Sequence, residues 1–163
     1  MDIEKQKTRA KNNAYALLRQ RPRSEFEIRE RLKLKGYAAD IVEGVVEGLR
    51  RAGDIDDDKF ARLWVESRMH SNPMGDVVLR HELKKKGVAD PIIEATLDEK
   101  AKNYDEYEMA SNMAREQFER LKKLDRRKAL KRVYDFLLRR GFKFETVRKI
   151  IEVIASEAKQ SRF

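Results

Sequence analysis

Three groups of residues in this sequence have types and spacings that could do chemistry: an acidic run, a histidine-glutamate pair and several basic clusters. Asp54-Ile55-Asp56-Asp57-Asp58 opens like a calcium loop. Such a loop starting at Asp54 needs glycine at its sixth position and glutamate at its twelfth, and Lys59 and Val65 stand there. The run therefore reads as the acidic N-cap and first turn of a helix, where negative charge meets the helix dipole. His81-Glu82 begins like a zinc-protease signature, but Lys85 takes the place of the second histidine. His70 and His81 are the only histidines and cysteine is absent. No metal-ligand set, disulfide framework or thiol chemistry is expected. No glycine-rich phosphate loop and no nucleophile elbow occurs. The chain reads as a binding protein, not an enzyme, with no cofactor.

The basic clusters are Lys33 and Lys35; Lys84, Lys85 and Lys86; Arg126, Arg127, Lys128, Lys131 and Arg132; and Arg139 with Arg140. Stripes of this kind contact phosphates or dock on acidic protein surfaces. Any one of them reads equally well as solvated charge complementing a helix C-terminus. The third is the densest, with five cations on two adjacent helical turns. Tyr37, Trp64, Tyr134 and Phe142 fall at core-type positions and read as packing, not as stacking platforms for bases.

The elements that position these side chains form a repeat. Leu-x-x-[Lys/Arg]-Gly followed by an apolar residue appears as Leu32–Tyr37, Leu83–Val88 and Leu137–Phe142, with the glycines Gly36, Gly87 and Gly141 spaced 51 and 54 residues apart. Eight residues before each glycine stand Ile28, Leu79 and Val133, and four before stand Leu32, Leu83 and Leu137. Six after stand Val42, Ile93 and Val147, and ten after stand Val46, Leu97 and Ile151. Apolar residues at these intervals mark one face of a helix on each side of the glycine. Ser24 is the expected N-cap of the first such helix, with Glu27 completing a capping box. Gly36, Gly87 and Gly141 are the expected C-terminal caps, because glycine enters the left-handed conformation at no steric cost. The following helix is expected to start near Asp40, at Asp90 as N-cap before Pro91, and within residues 143–145. A preceding helix is expected at about Thr8–Arg21, Asp57–His70 and Asp105–Lys122. Joints are expected at residues 51–54 and 100–103.

The expected fold is all-α: three tandem three-helix repeats, 1–53, 54–104 and 105–163, the last with a short polar C-terminal tail, forming an elongated, curved array. Charged residues make up 41% of the chain, yet Leu, Ile, Val and Phe number 40 of 163, enough for a core. No apolar run is long enough to span a membrane and no signal peptide opens the chain, so a cytoplasmic location is expected. The net charge of +9 is uneven: the repeats carry +5, −2 and +6 in order. Two basic ends around an acidic middle suit a polyanion or a partner of mixed charge.

Residues Ser24–Tyr37 resemble the first-repeat signature of the RecX regulatory proteins. Asp54–Ala61 resembles the segment of that family that reads Gly-Tyr-Leu-Asp-Asp-x-x-Phe-Ala, and Gly75 through Leu79–Val88 is similar to its second-repeat signature. Leu137–Phe142 fits the C-terminal repeat, so the likeness spans about residues 10 to 154. It departs after Gly75, where the family often has proline and basic residues and this chain has Asp76, Val77 and Val78. The resemblance implies a regulator of DNA repair and the SOS response. Its partners would be the RecA recombinase and the RecA filament on single-stranded DNA, in whose helical groove the protein lodges. It would inhibit recombinase, ATPase and coprotease activity without a cofactor, a membrane or a small-molecule substrate. Direct binding of single- or double-stranded DNA by the basic end repeats, without sequence preference, is the alternative.

Overall fold

A computed structural model of the chain describes residues 2–160. Among them are nine helices and no strands: α1 Ile3–Gln20, α2 Glu25–Leu34, α3 Ala39–Ala52, α4 Asp57–Ser71, α5 Asp76–Lys85, α6 Asp90–Asn103, α7 Glu106–Arg120, α8 Arg126–Arg139 and α9 Phe144–Gln160. The order is helix–helix–helix three times.

Local chemistry explains most of the boundaries. The Ser24 side chain accepts the Glu27 N–H at 3.2 Å while the Glu27 carboxylate accepts the Ser24 N–H at 3.3 Å, the reciprocal box that satisfies two orphan donors. Asp56 takes the N–H of Lys59 at 3.1 Å, so the acidic run caps α4. Asp105 caps α7 through Glu108, and Asp125 caps α8 through Arg127 and Lys128. Several boundaries differ from expectation: α1 begins at Ile3, five residues before Thr8, and α3 runs through Ala52 into the expected joint at 51–54. α3 begins at Ala39 after an N-cap, Ala38, that offers no side-chain acceptor, and Asp40 lies inside the first turn. There Asp40 still meets the helix dipole, which is the part of its effect that survives. α6 begins at Asp90 itself, so Pro91 is its second residue, where a missing N–H is still harmless. α6 also runs on through Asn103, so the expected joint at 100–103 is helical.

Gly36, Gly87 and Gly141 adopt φ of 86°, 71° and 84°. Behind each, the N–H of the next residue reaches back to a carbonyl of the last turn: Tyr37 to Leu32 at 3.3 Å, Val88 to Leu83 at 3.1 Å and Phe142 to Leu137 at 3.2 Å. This is a Schellman ending, and it tucks Val88 and Phe142 into the core.

Packing divides the chain into two compact units. One comprises the residues through Glu66 together with Glu82–Thr96, and the other comprises Ser67–His81 with Leu97 onward. In the first, Ala10 and Ala14 of α1 let it approach Ile28 and Leu32 of α2 and Val42, Val46 and Leu49 of α3. In the second, Ala110 and Ala114 of α7 do the same toward Val133, Leu137, Val147 and Ile150. The repeat positions are buried as the spacing requires, except that Ile151 is only partly buried against the third core, beside the buried Ile150 and Ile154.

Candidate binding surface

The twelve candidate cations separate into exposed side chains and side chains already held by the protein. Lys33 pairs with Glu30 at 3.4 Å and Lys84 with Asp90 at 3.3 Å, both on the surface. Ion pairs of this kind contribute little to stability. Lys35 and Lys85 are exposed at helix ends.

Lys86 is different. Its ammonium reaches the Glu27 carboxylate at 2.8 Å and lies 4.8 Å from the centroid of the Trp64 ring, and its carbonyl accepts the Ser24 hydroxyl at 2.6 Å. Arg21 grips the same carboxylate at 2.7 Å. Burial pushes the Glu27 carboxyl up, but the hydrogen bonds from Arg21, Lys86 and the Ser24 backbone outweigh it and bring the pKa down to about 2. Trp64 donates its indole N–H to Glu82 at 2.8 Å. These residues all belong to the first unit.

Arg140 is held in the second unit in the corresponding way. Its guanidinium packs 5.1 Å from the Phe136 ring centroid and donates to the Asn72 side chain and the Pro73 carbonyl. Its carbonyl accepts the Gly75 N–H at 2.7 Å, and that of Gly141 accepts the Val77 N–H at 3.1 Å. A Cβ on Gly75 would sit 2.3 Å from the Gly141 oxygen, so this approach needs a residue without a side chain.

On α8, Arg126 turns to the Ala155 carbonyl of α9. Arg127, Lys128, Lys131, Arg132 and Arg139 are exposed. At 100° per residue they lie within less than half the helix circumference, so they form one basic face. Asp135, which takes Lys131 at 2.9 Å, and the partly buried Leu138 lie within it. This face is the part of the predicted set that the structure brings together as an exposed cationic surface.

A buried cation escapes the sequence patterns. Lys100, with a side chain 3% exposed, reaches Asp76 at 2.7 Å and Glu106 at 3.2 Å. Burial, and then the Asp76 charge, push the Glu106 carboxyl up against the opposing pull of Lys100. Its signal is the lysine at the start of the expected joint, but only a helix that continues through Asn103 carries it inward. The acidic run is structural as well: Asp54 accepts the Tyr15 hydroxyl at 2.6 Å and Asp57 the Glu25 N–H at 2.9 Å.

Comparison with known proteins follows the same division into repeats. Residues 10–49 match the model of the RecX first three-helix domain, 56–97 that of the second and 104–151 that of the third. The regulatory protein RecX of Prosthecochloris aestuarii is 35% identical over 144 residues, covering 88% of this chain and 92% of that protein. The regulatory protein RecX of Amycolatopsis mediterranei is 33% identical over 139 residues, covering 85% and 79%. A crystal structure of RecX from Lactobacillus salivarius superposes with a TM-score of 0.80 at 22% identity, over 93% of this chain and 98% of the other, which bears on the fold. Three domain matches in order and relatives of this similarity lead to one conclusion: the chain belongs to the RecX family of regulatory proteins.

Proposed function

We propose that this protein regulates a RecA-type recombinase, binding it and its filament on single-stranded DNA and lowering ATP hydrolysis, strand exchange and coprotease activity. The observation that carries this reading is the run of three RecX domains through residues 10–151. The protein acts by occupying surface, not by chemistry of its own, and needs no cofactor. A cytoplasmic location belongs to the same proposal; among the described residues no helix is long and apolar enough to cross a membrane. The test is ATP hydrolysis by RecA on single-stranded DNA with increasing amounts of this protein. Hydrolysis slowed at micromolar protein supports the reading, and unchanged hydrolysis together with unchanged strand exchange rejects it.

A second reading rests on the α8 face. Arg127, Lys128, Lys131, Arg132 and Arg139 project four net positive charges with Asp135 included, a surface suited to a phosphate backbone. It predicts DNA binding without RecA that weakens steeply with salt. Binding that is absent, or indifferent to salt, removes it.

A further inference from the structure

The basic-residue–glycine turn that closes the second helix of each repeat is a joint in two copies and stands open in the third. In the first unit, Lys86-Gly87 is seated on the first turn of α2: the Lys86 carbonyl accepts the Ser24 hydroxyl at 2.6 Å and its ammonium donates to Glu27 at 2.8 Å. A Cβ on Gly87 would lie 2.3 Å from the Phe26 Cβ. In the second unit, Arg140-Gly141 is seated on the first turn of α5: the Arg140 carbonyl takes the Gly75 N–H at 2.7 Å, and a Cβ on Gly141 would lie 2.5 Å from the Val78 nitrogen. One rule covers both. The turn meets a helix N-terminus whose N-cap is serine or glycine, and the carbonyl of its basic residue accepts a donor from that N-cap.

The equivalent turn of the first repeat, Leu34-Lys35-Gly36, has the same conformation, with Gly36 at φ 86°. Yet a Cβ on Gly36 would meet nothing within 4 Å. Leu34 is 79% exposed, and Lys35 is exposed beside it. At the Leu34 position the two seated turns carry Lys85 and Arg139, so this turn alone offers an apolar side chain outward.

We propose that Leu34-Lys35-Gly36 is a docking surface for a helix N-terminus on the protein that this chain regulates. The helix it fits has a serine or glycine N-cap, a carboxylate in its first turn for Lys35, and an apolar residue for Leu34. This rests on the reading of a recombinase-binding regulator. A second copy of this chain is a poor occupant. The first turns of α2 and α5 are already filled. In the third repeat the residue at the Ser24 and Gly75 position is Ala129, which lies inside α8 with its N–H bonded to the Asp125 carbonyl at 2.9 Å. No donor is left there to receive another turn.

The test compares wild type, Leu34→Glu/Lys35→Glu, Gly36→Asn and the surface control Lys122→Glu, each added to RecA on single-stranded DNA. ATP hydrolysis and co-sedimentation with the filament are read together. Asparagine tolerates the left-handed conformation, so Gly36→Asn adds bulk to the turn while the helix end keeps its shape. Wild type and Lys122→Glu are expected to inhibit equally, while the double variant and Gly36→Asn need about tenfold more protein for half inhibition, with helicity and melting unchanged. If the double variant does not fold, Lys35→Glu alone and Gly36→Asn decide. If wild type inhibits and the turn variants inhibit as well, the docking surface is wrong and the regulatory reading stands. The docking surface is equally wrong if Lys122→Glu loses as much as they do. If wild type neither inhibits nor co-sediments, the regulatory reading fails and the docking surface with it.

Discussion

The two seated turns solve one problem with different chemistry. At α2 the contact is made by side chains: a serine hydroxyl, a glutamate held by Arg21 and Lys86, and a lysine over an indole ring. At α5 the closest approach is backbone on backbone, with Gly75 and Gly141 close enough that neither tolerates a Cβ, and the Arg140 guanidinium adds uncharged acceptors at Asn72 and Pro73. A side-chain contact can be tuned by charge and by pH. A backbone contact responds to volume alone. The departure of this chain after Gly75, where Asp76, Val77 and Val78 replace proline and basic residues, falls on the backbone-mediated joint, and there Asp76 is held by the buried Lys100 at 2.7 Å.

The strongest way to break this contrast is steric. Gly141→Val places a β-branched side chain at φ 84° and against the Val78 backbone. Left-handed strain and overpacking each cost about 1–3 kcal/mol, so a loss of about 4 kcal/mol is expected. Urea unfolding measures it, and a loss below about 1 kcal/mol would mean the two backbones do not meet.

Next comes the charge-dependent joint. Glu27 falls from its ordinary pKa of 4.5 to about 2 in the folded protein. A carboxyl depressed on folding contributes stability that is complete above its unfolded pKa and is lost as pH falls through the folded one. The window is therefore pH 4.5 down to about 2, and the shift corresponds to about 3 kcal/mol. Glu27→Gln is expected to destabilise by about 2 kcal/mol at pH 7, leaving Lys86 and Arg21 without their carboxylate, and to flatten this acid limb. Denaturation curves for both proteins between pH 2 and 7 measure it, and parallel curves would show that Glu27 does not carry the joint.

The contrast between seated and open glycines is sharpened by alanine. At Gly36 the change costs only the left-handed conformation, about 1 kcal/mol. At Gly87 the new Cβ also meets Phe26, so about 2 kcal/mol or more is expected. Equal losses in thermal melts of the two variants would make the Gly87 contact unimportant.

The sequence displays what is local and conceals what is distant. The three glycines, the Ser24 box and the apolar positions from Ile28 to Val147 are set by spacing and cap chemistry within a few residues, and the structure follows them. Lys86 and Arg140 read as helix-end charges because that is their local environment. Their partners lie 59 and 68 residues away, at Glu27 and Asn72, and no local pattern distinguishes a lysine facing water from one facing a neighbouring repeat. Lys100 is hidden for a related reason: a joint expected at 100–103 leaves no helix to carry it inward between Asp76 and Glu106. Ile150 keeps the register of the other repeats, whose Val45 and Thr96 are buried at the same distance from the glycine, and the ten-residue spacing simply passes over that position.

The smallest stability effect belongs to the surface with the largest proposed role in charge recognition. Arg127, Lys128, Arg132 and Arg139 stand on the exposed face of α8. Replacing Arg127 or Arg132 by alanine is expected to change stability by no more than about 0.5 kcal/mol, since exposed charges contribute little. If this face meets phosphates, each replacement should lower the slope of log affinity against log salt by about 1, uniformly across DNA sequences. Titrating labelled single-stranded DNA at several salt concentrations reads that slope. An unchanged slope with unchanged stability would leave the α8 charges as solvating surface, and the binding chemistry of the chain would then lie with the open turn of the first repeat.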